Sequence, residues 1–185
     1  MSTFALVPGA GGDPWFWHRL VPLLRGAGHG ALAVDLPGPD PGAGLPEYTR
    51  LVVDAIGDRG DVVLVAQSLG AFTAPIAAAA LPGVRAVVLV NAMIPIPGET
   101  PGEWWGATDS ERARVRAAEA GGYVADFDPD VYFVHDVPPE VLATGGAPRD
   151  EADAVFASTC DFAQWPSEVR VLAAAGDRFF PVEFQ

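Results

Sequence analysis

Five short segments, each apolar at nearly every position, limit what this chain can fold into: TFALV (3–7), ALAVDL (31–36), DVVLVA (61–66), VRAVVLV (84–90) and EVRVLAAA (168–175). A strand with one face in water alternates polar and apolar residues, whereas one covered on both faces does not have to, so these runs predict a parallel sheet. Helix-patterned stretches separate the first four. DPWFWHRLVPLLRGAG (13–28) offers Asp13 as cap, Pro14 at a first helical position and a closing glycine, and LPEYTRLVVDAIGD (45–58) spaces Leu45, Tyr48, Val52 and Ile56 along one face. The third connection, LGAFTAPIAAAALPG (69–83), contains Pro75, which removes a hydrogen-bond donor and is expected to kink the helix. Strand and helix in repeated alternation mark an α/β fold with a mainly parallel central sheet flanked by helices.

The alternation breaks after residue 97. Residues 98–165 carry helix-like and loop-like stretches but no convincing central strand, and are expected to form a helical cap over the strand ends, the core comprising 1–97 and 166–185. Trp104, Trp105, Tyr132, Phe133, Phe156 and Trp165 would give the cap an apolar underside. A small helical subdomain with its own core would use the same residues.

Ser68 stands where the third strand signal gives way to a helix signal, in Ala66-Gln67-Ser68-Leu69-Gly70. Small residues two before and two after a serine allow the backbone to turn sharply, which lifts the hydroxyl clear of the sheet edge as a nucleophile. The N–H of Leu69, at the start of the following helix, is then a donor for a developing oxyanion. A second donor belongs on a glycine-rich loop after the first strand, and PGAGG (8–12) supplies it in Ala10, with Gly9 beside it. A phosphate-binding loop would need GxGxxG or GxxxxGK[ST]; the glycines fall at 9, 11 and 12, and Asp13 would repel a phosphate.

Charge and cysteine content narrow the partners. Aspartate and glutamate number 24 against 11 basic residues, all arginine, for a formal net charge of −13, so nucleic acid and anionic membranes are not expected partners. No apolar run approaches the length of a membrane span. One cysteine, Cys160, allows no internal disulfide and is expected as a small buried hydrophobe; His18, His29 and His135 lack metal-ligand spacing. A reducing, cytoplasmic location is expected, with no signal peptide in MSTFALVPGAGG (1–12). No metal or organic cofactor is called for.

The loop PGAGG before WFWHRLVPLLRGAGHGALAVDLPG, the turn AQSLG and the later VLAAAGDRFFPVEFQ together resemble the α/β-hydrolase fold superfamily, and the W-x-W-H segment resembles its esterase and hydroxynitrile-lyase branch. The resemblance covers 3–97 and 168–185 and is only generic over the cap. It implies a triad in the order serine, acid, histidine, with Ser68 as nucleophile and Asp177, in the turn after the strand at 168–175, as the acid. A loop aspartate capping the next helix is the plainer role for Asp177. The implied activity is acyl transfer on small apolar esters; lyase chemistry is the alternative, although similar lyases use a lysine and this chain has none. A non-catalytic binder of small apolar ligands is the reading from a different class.

One component of the resemblance is missing. The family's histidine follows a further strand, and only eight residues lie beyond Asp177. The expectation is a shortened form of a longer protein, lacking the last strand, the last helix and the base, hence nearly inactive and prone to associate through the apolar edge at 169–174. A degenerate member, or a histidine recruited from elsewhere, would also account for the gap. Of the histidines present, His135 in YFVHDVPP could overhang the site, but its setting suits a solvated cap; His18 is expected on a helix surface and His29 at the opposite end of the sheet.

Overall fold

A computed structural model describes residues 1–166 and 168–185. Five strands form one wholly parallel sheet in the order β2-β1-β3-β4-β5: β1 Thr3–Val7, β2 Gly30–Ala33, β3 Val62–Gln67, β4 Val84–Val90 and β5 Val169–Leu172. All strands therefore end at the same edge. The central strand β3 is buried from Val62 to Ala66, the apolar run that the sequence announces.

Helices cover both faces of the sheet. α2 (Leu45–Ile56) starts on Leu45-Pro46 and buries Leu45, Tyr48, Val52 and Ile56, the stripe anticipated from their spacing; Gly57, at φ 57°, ends it. α3 (Gly70–Ala80) is apolar on all sides because it is covered on all sides, with seven residues buried from Gly70 to Ala77. It runs without interruption through Pro75, whose missing N–H leaves the Ala71 carbonyl without its intrahelical donor.

The stretch 13–28, expected as one helix, is two elements. Asp13 accepts the N–H of Trp15 at 2.8 Å and caps a single 3-10 turn, Pro14–Trp17; α1 follows at Leu20–Gly26. Pro22 explains the break: it can neither donate to the carbonyl four residues back nor avoid crowding it, and is accommodated when the helix begins only two residues earlier.

Between β4 and β5 lie α4 (Pro101–Ala107), α5 (Ser110–Gly121) and three single-turn helices, α6 (Pro129–Tyr132), α7 (Pro139–Leu142) and α8 (Asp153–Phe156). Thr100 and Glu103 cap α4 reciprocally, each side chain accepting the other's backbone N–H. Trp104 is buried, donates its indole N–H to the Ile94 carbonyl and packs edge-on to Phe180 at 5.6 Å. Tyr132 is also buried, but Phe133 is half exposed, so it does not belong to the apolar underside expected of it. Its ring still leans on Phe179, at 4.9 Å.

β5 is shorter than the run 168–175, and its four residues are exposed, the uncovered apolar edge expected at 169–174 although its composition alone suits burial on both faces. It pairs with β4 alone and offers Val169, Val171 and Leu172 to solvent beside unpaired backbone groups, an arrangement that invites edge-to-edge pairing. Val171→Lys is expected to shift the protein toward monomer in sedimentation equilibrium without lowering its thermal midpoint, since the position is 47% exposed.

Candidate active site

The sharp turn at Ser68 follows from what surrounds it. Ser68 sits directly after β3 with φ 49°, a left-handed conformation that non-glycine residues seldom adopt. Its N–H is held by the Val90 carbonyl at 3.1 Å, and its own carbonyl accepts from Ala71 and Met93, so β4 and α3 together enforce the strained geometry. The small neighbours are required by contact. Ala66 is fully buried. A Cβ on Gly70 would press on the carbonyl oxygens of Pro8 and Val7, because α3 starts hard against the end of β1.

The glycine-rich loop after β1 lies against the serine. A Cβ on Gly9 would stand 3.0 Å from Ser68 Cβ and 3.5 Å from Ser68 Oγ, so glycine alone lets the loop come this near. Gly12 N–H closes a turn on Gly9 O at 3.1 Å, and Gly11 N–H donates to Glu151 at 2.8 Å. Among the described residues, the N–H groups of Ala10 and Leu69 have no protein acceptor, whereas those of Ser68, Gly11 and Gly12 do. Among the described residues, the two N–H groups without a protein acceptor are thus that of Leu69, directly after Ser68, and that of Ala10, next to the Gly9 that lies against it.

Asp177 lies at the same sheet edge, in the turn beyond β5. One of its oxygens accepts the N–H groups of Phe179 and Phe180 at 2.8 and 2.9 Å. Burial pushes its carboxyl above the ordinary range, against the pull of the Phe180 and Phe179 N–H groups and of His135. β4 lies between β3, which Ser68 follows, and β5, which leads into the Asp177 turn.

Asn91, which the sequence reading passed over, joins these two turns. It follows β4 at φ 43°, gives its N–H to Leu172 O at 2.9 Å and accepts Ala174 N–H on its side chain at 2.7 Å; Asp177 N–H in turn bonds Ala174 O. An asparagine directly after an apolar strand is the signal that could have found it, because Asn tolerates the left-handed region.

The histidines are elsewhere. His18 is exposed and stacks on Trp15 at 4.8 Å, and His29 meets Phe4, at the opposite end of β1. His135 is exposed in the turn after α6, close enough for its charge to act on Asp177, but among the described residues no histidine hydrogen-bonds Ser68 or Asp177. Cys160 is fully buried and donates to Phe72 O; burial pushes its thiol up to about 12, so it is no thiolate nucleophile. A cavity of about 220 Å³ opens beside the acid turn, lined by Trp105, Ser110, Glu111, Arg114, Phe127 and Phe179, and is largely apolar. No helix among the described residues is long and apolar enough to cross a membrane.

The sequence profile of the alpha/beta hydrolase family matches residues 4–185. The chain belongs to that family. Among curated hydrolase-family relatives, a probable esterase, PIR7A, of Oryza sativa subsp. indica is 36% identical over 112 residues, 54% of this chain and 42% of the relative. The alpha-hydroxynitrile lyase of Arabidopsis thaliana is 31% identical over 109 residues, 53% of this chain and 42% of that one. The aligned part therefore spans less than half the length of these relatives. An extracellular alpha/beta-hydrolase from a Paenibacillus species, described as homologous in structure and function to tobacco salicylic acid binding protein 2, superposes with a TM-score of 0.72 at 20% identity, over 98% of this chain and 81% of the other. At that identity the likeness concerns the hydrolase fold alone.

Proposed function

We propose that this α/β-hydrolase is an esterase-type serine hydrolase acting on small apolar esters through an acyl-enzyme on Ser68. The observation that carries the reading is Ser68 itself, held at φ 49° between β3 and α3, with Gly9 against it and, among the described residues, no protein acceptor on the N–H groups of Ala10 and Leu69. Ser68 Oγ attacks the ester carbonyl and loses its proton to a base; the carbonyl oxygen, now an anion, is held by the two N–H groups. The tetrahedral intermediate expels the alcohol, which takes a proton, and water then hydrolyses the acyl-serine to release the acid. Asp177 is the group that would orient and stabilise an imidazolium. Curated relatives named as esterases support the class.

Among the described residues no histidine is bonded to Asp177 or Ser68, so slow turnover is the expected outcome. Positioning and oxyanion stabilisation alone leave roughly 10³ to 10⁴-fold over water in a serine hydrolase stripped of a triad member. The test is p-nitrophenyl butyrate in excess over the protein, with and without imidazole in solution. One butyryl group per chain by intact mass, formed faster with imidazole and absent in Ser68→Ala, is the expected result. Labelling that does not depend on Ser68 would leave a non-catalytic binder. Brisk turnover without imidazole, abolished by His135→Ala, would make the exposed histidine the base.

A further inference from the structure

We propose that Glu151, 140 residues from the glycine-rich loop in sequence, is a positioning residue that holds the oxyanion loop through the Gly11 N–H. The proposal rests on the serine-hydrolase reading of Ser68 and adds a residue from the helical insertion to that site. One carboxylate oxygen, Oε2, accepts Gly11 N–H at 2.8 Å, while Oε1 accepts the Tyr48 hydroxyl at 2.6 Å. Tyr48 is buried on α2, and burial together with the adjoining carboxylate pushes its phenol far above its ordinary value, so it stays protonated and donates. Glu151 is itself half-buried; burial raises its carboxyl, and the Tyr48 and Gly11 donors oppose that.

The contact is part of a close interlock. A Cβ on Gly11, which has φ 82°, would come within 2.5 Å of Arg149 O, and one on Gly38 would come within 2.5 Å of Gly11 O and 2.7 Å of Asp150 O. Ala152 N–H donates to Gly38 O at 2.8 Å, and Arg149 pairs with Asp35 at 2.6 Å and Asp13 at 3.8 Å. Residues 149–152 therefore lie directly on the loop, with Glu151 supplying the acceptor for its one N–H that points into the segment. That bond anchors the Ala10–Gly11 peptide, while the Gly12 N–H on Gly9 O holds the Gly9–Ala10 peptide that carries the Ala10 N–H. With both peptides on either side of Ala10 tied down, its N–H keeps one direction, which an oxyanion donor must do before the charge arrives. A purely adhesive role would need no acceptor on this particular N–H.

Glu151→Ala and Glu151→Gln separate the two roles. Glutamine can keep Oε1 on Gly11 and turn its NH₂ to the Tyr48 oxygen, whereas alanine leaves Gly11 without an acceptor. In Glu151→Ala the single-turnover acylation rate at saturating p-nitrophenyl butyrate is expected to fall ~10²-fold, with the half-saturating ester concentration little changed. Glu151→Gln is expected to recover most of the rate. Hydrogen exchange at the Gly11 amide, read by NMR on the full chain, should accelerate in Glu151→Ala and not in Glu151→Gln, and this readout needs no catalysis. Should Glu151→Ala fail to fold, Tyr48→Phe, which frees one carboxylate oxygen, should show a smaller acceleration of Gly11 exchange. Wild-type acylation in a folded Glu151→Ala, or Gly11 exchange that none of these substitutions changes, overturns the proposal. Absence of Ser68-dependent acylation in the wild type instead overturns the serine-hydrolase reading, and Gly11 exchange still decides whether Glu151 holds the loop.

Discussion

Ser68→Ala is expected to remove stoichiometric acylation by p-nitrophenyl butyrate, and Ser68→Gly to remove it while making the protein more stable than the wild type. The first result follows from loss of the attacking oxygen, since what remains is two N–H donors and no nucleophile. The second follows from φ 49°. A side chain in the left-handed region costs about 1–2 kcal/mol, which glycine does not incur. Glycine forfeits roughly 0.5–1 kcal/mol in chain entropy, so the net gain is about 0–1.5 kcal/mol. Alanine, with its Cβ, retains the strain and should not share the gain. Urea denaturation of the three proteins checks the order, with the highest midpoint expected for glycine. A serine whose replacement kills the reaction and strengthens the fold is held in place by chemistry. If glycine proves less stable than serine, the turn is not strained and the argument for an elbow loses its energetic support.

What could be read from the residues was governed by range. β1 and β4 match their apolar runs, and the buried stripe of α2 follows from spacing alone, because each depends on burial of one local pattern. The turn at Ser68 was legible for the same reason: strand, small residue, serine and small residue are contiguous. Glu151 was not. Nothing in APRDEADAVF marks one carboxylate among three as the partner of a loop 140 residues away, and only the packing of 149–152 on Gly11 and Gly38 distinguishes it. For β5 composition and chain position pointed different ways, and position decided. Its composition suits burial on both faces, but a parallel strand is buried only if helices and a further neighbour cover it, and composition is silent about what does so. Asn91 lies between these cases, since its residue type hints at a left-handed turn while its bond to Ala174 depends on β5 being next to β4.

Phe72→Ala is expected to cost about 3–5 kcal/mol, the largest loss of stability from one side chain in this protein. Phe72 is wholly buried on α3, one turn beyond Leu69, in the core that also holds Leu45, Val52, Ile56, Leu64 and Leu89. Two terms add: the transfer free energy of the lost ring and the cavity that rigid neighbours on the sheet and on α2 cannot fill. Alanine is the better helix former, but by less than 1 kcal/mol, so propensity does not rescue the variant. Against a total stability of roughly 5–15 kcal/mol the loss is a large fraction, and in a chain of this size it corresponds to a fall of about 10 °C in the thermal midpoint. Phe72→Leu, which keeps most of the volume, should lose well under half as much. The consequence reaches the site because α3 carries the Leu69 N–H at its start, and the Phe72 carbonyl also accepts the Cys160 thiol at 3.1 Å, tying the segment after α8 to the helix behind the nucleophile. The acylation rate of folded Phe72→Ala, measured well below its midpoint, should therefore fall along with its stability. A rate that stays at the wild-type value while the midpoint drops would show that the elbow is held by its own hydrogen bonds to Val90, Ala71 and Met93 and owes nothing to the packing of the helix behind it.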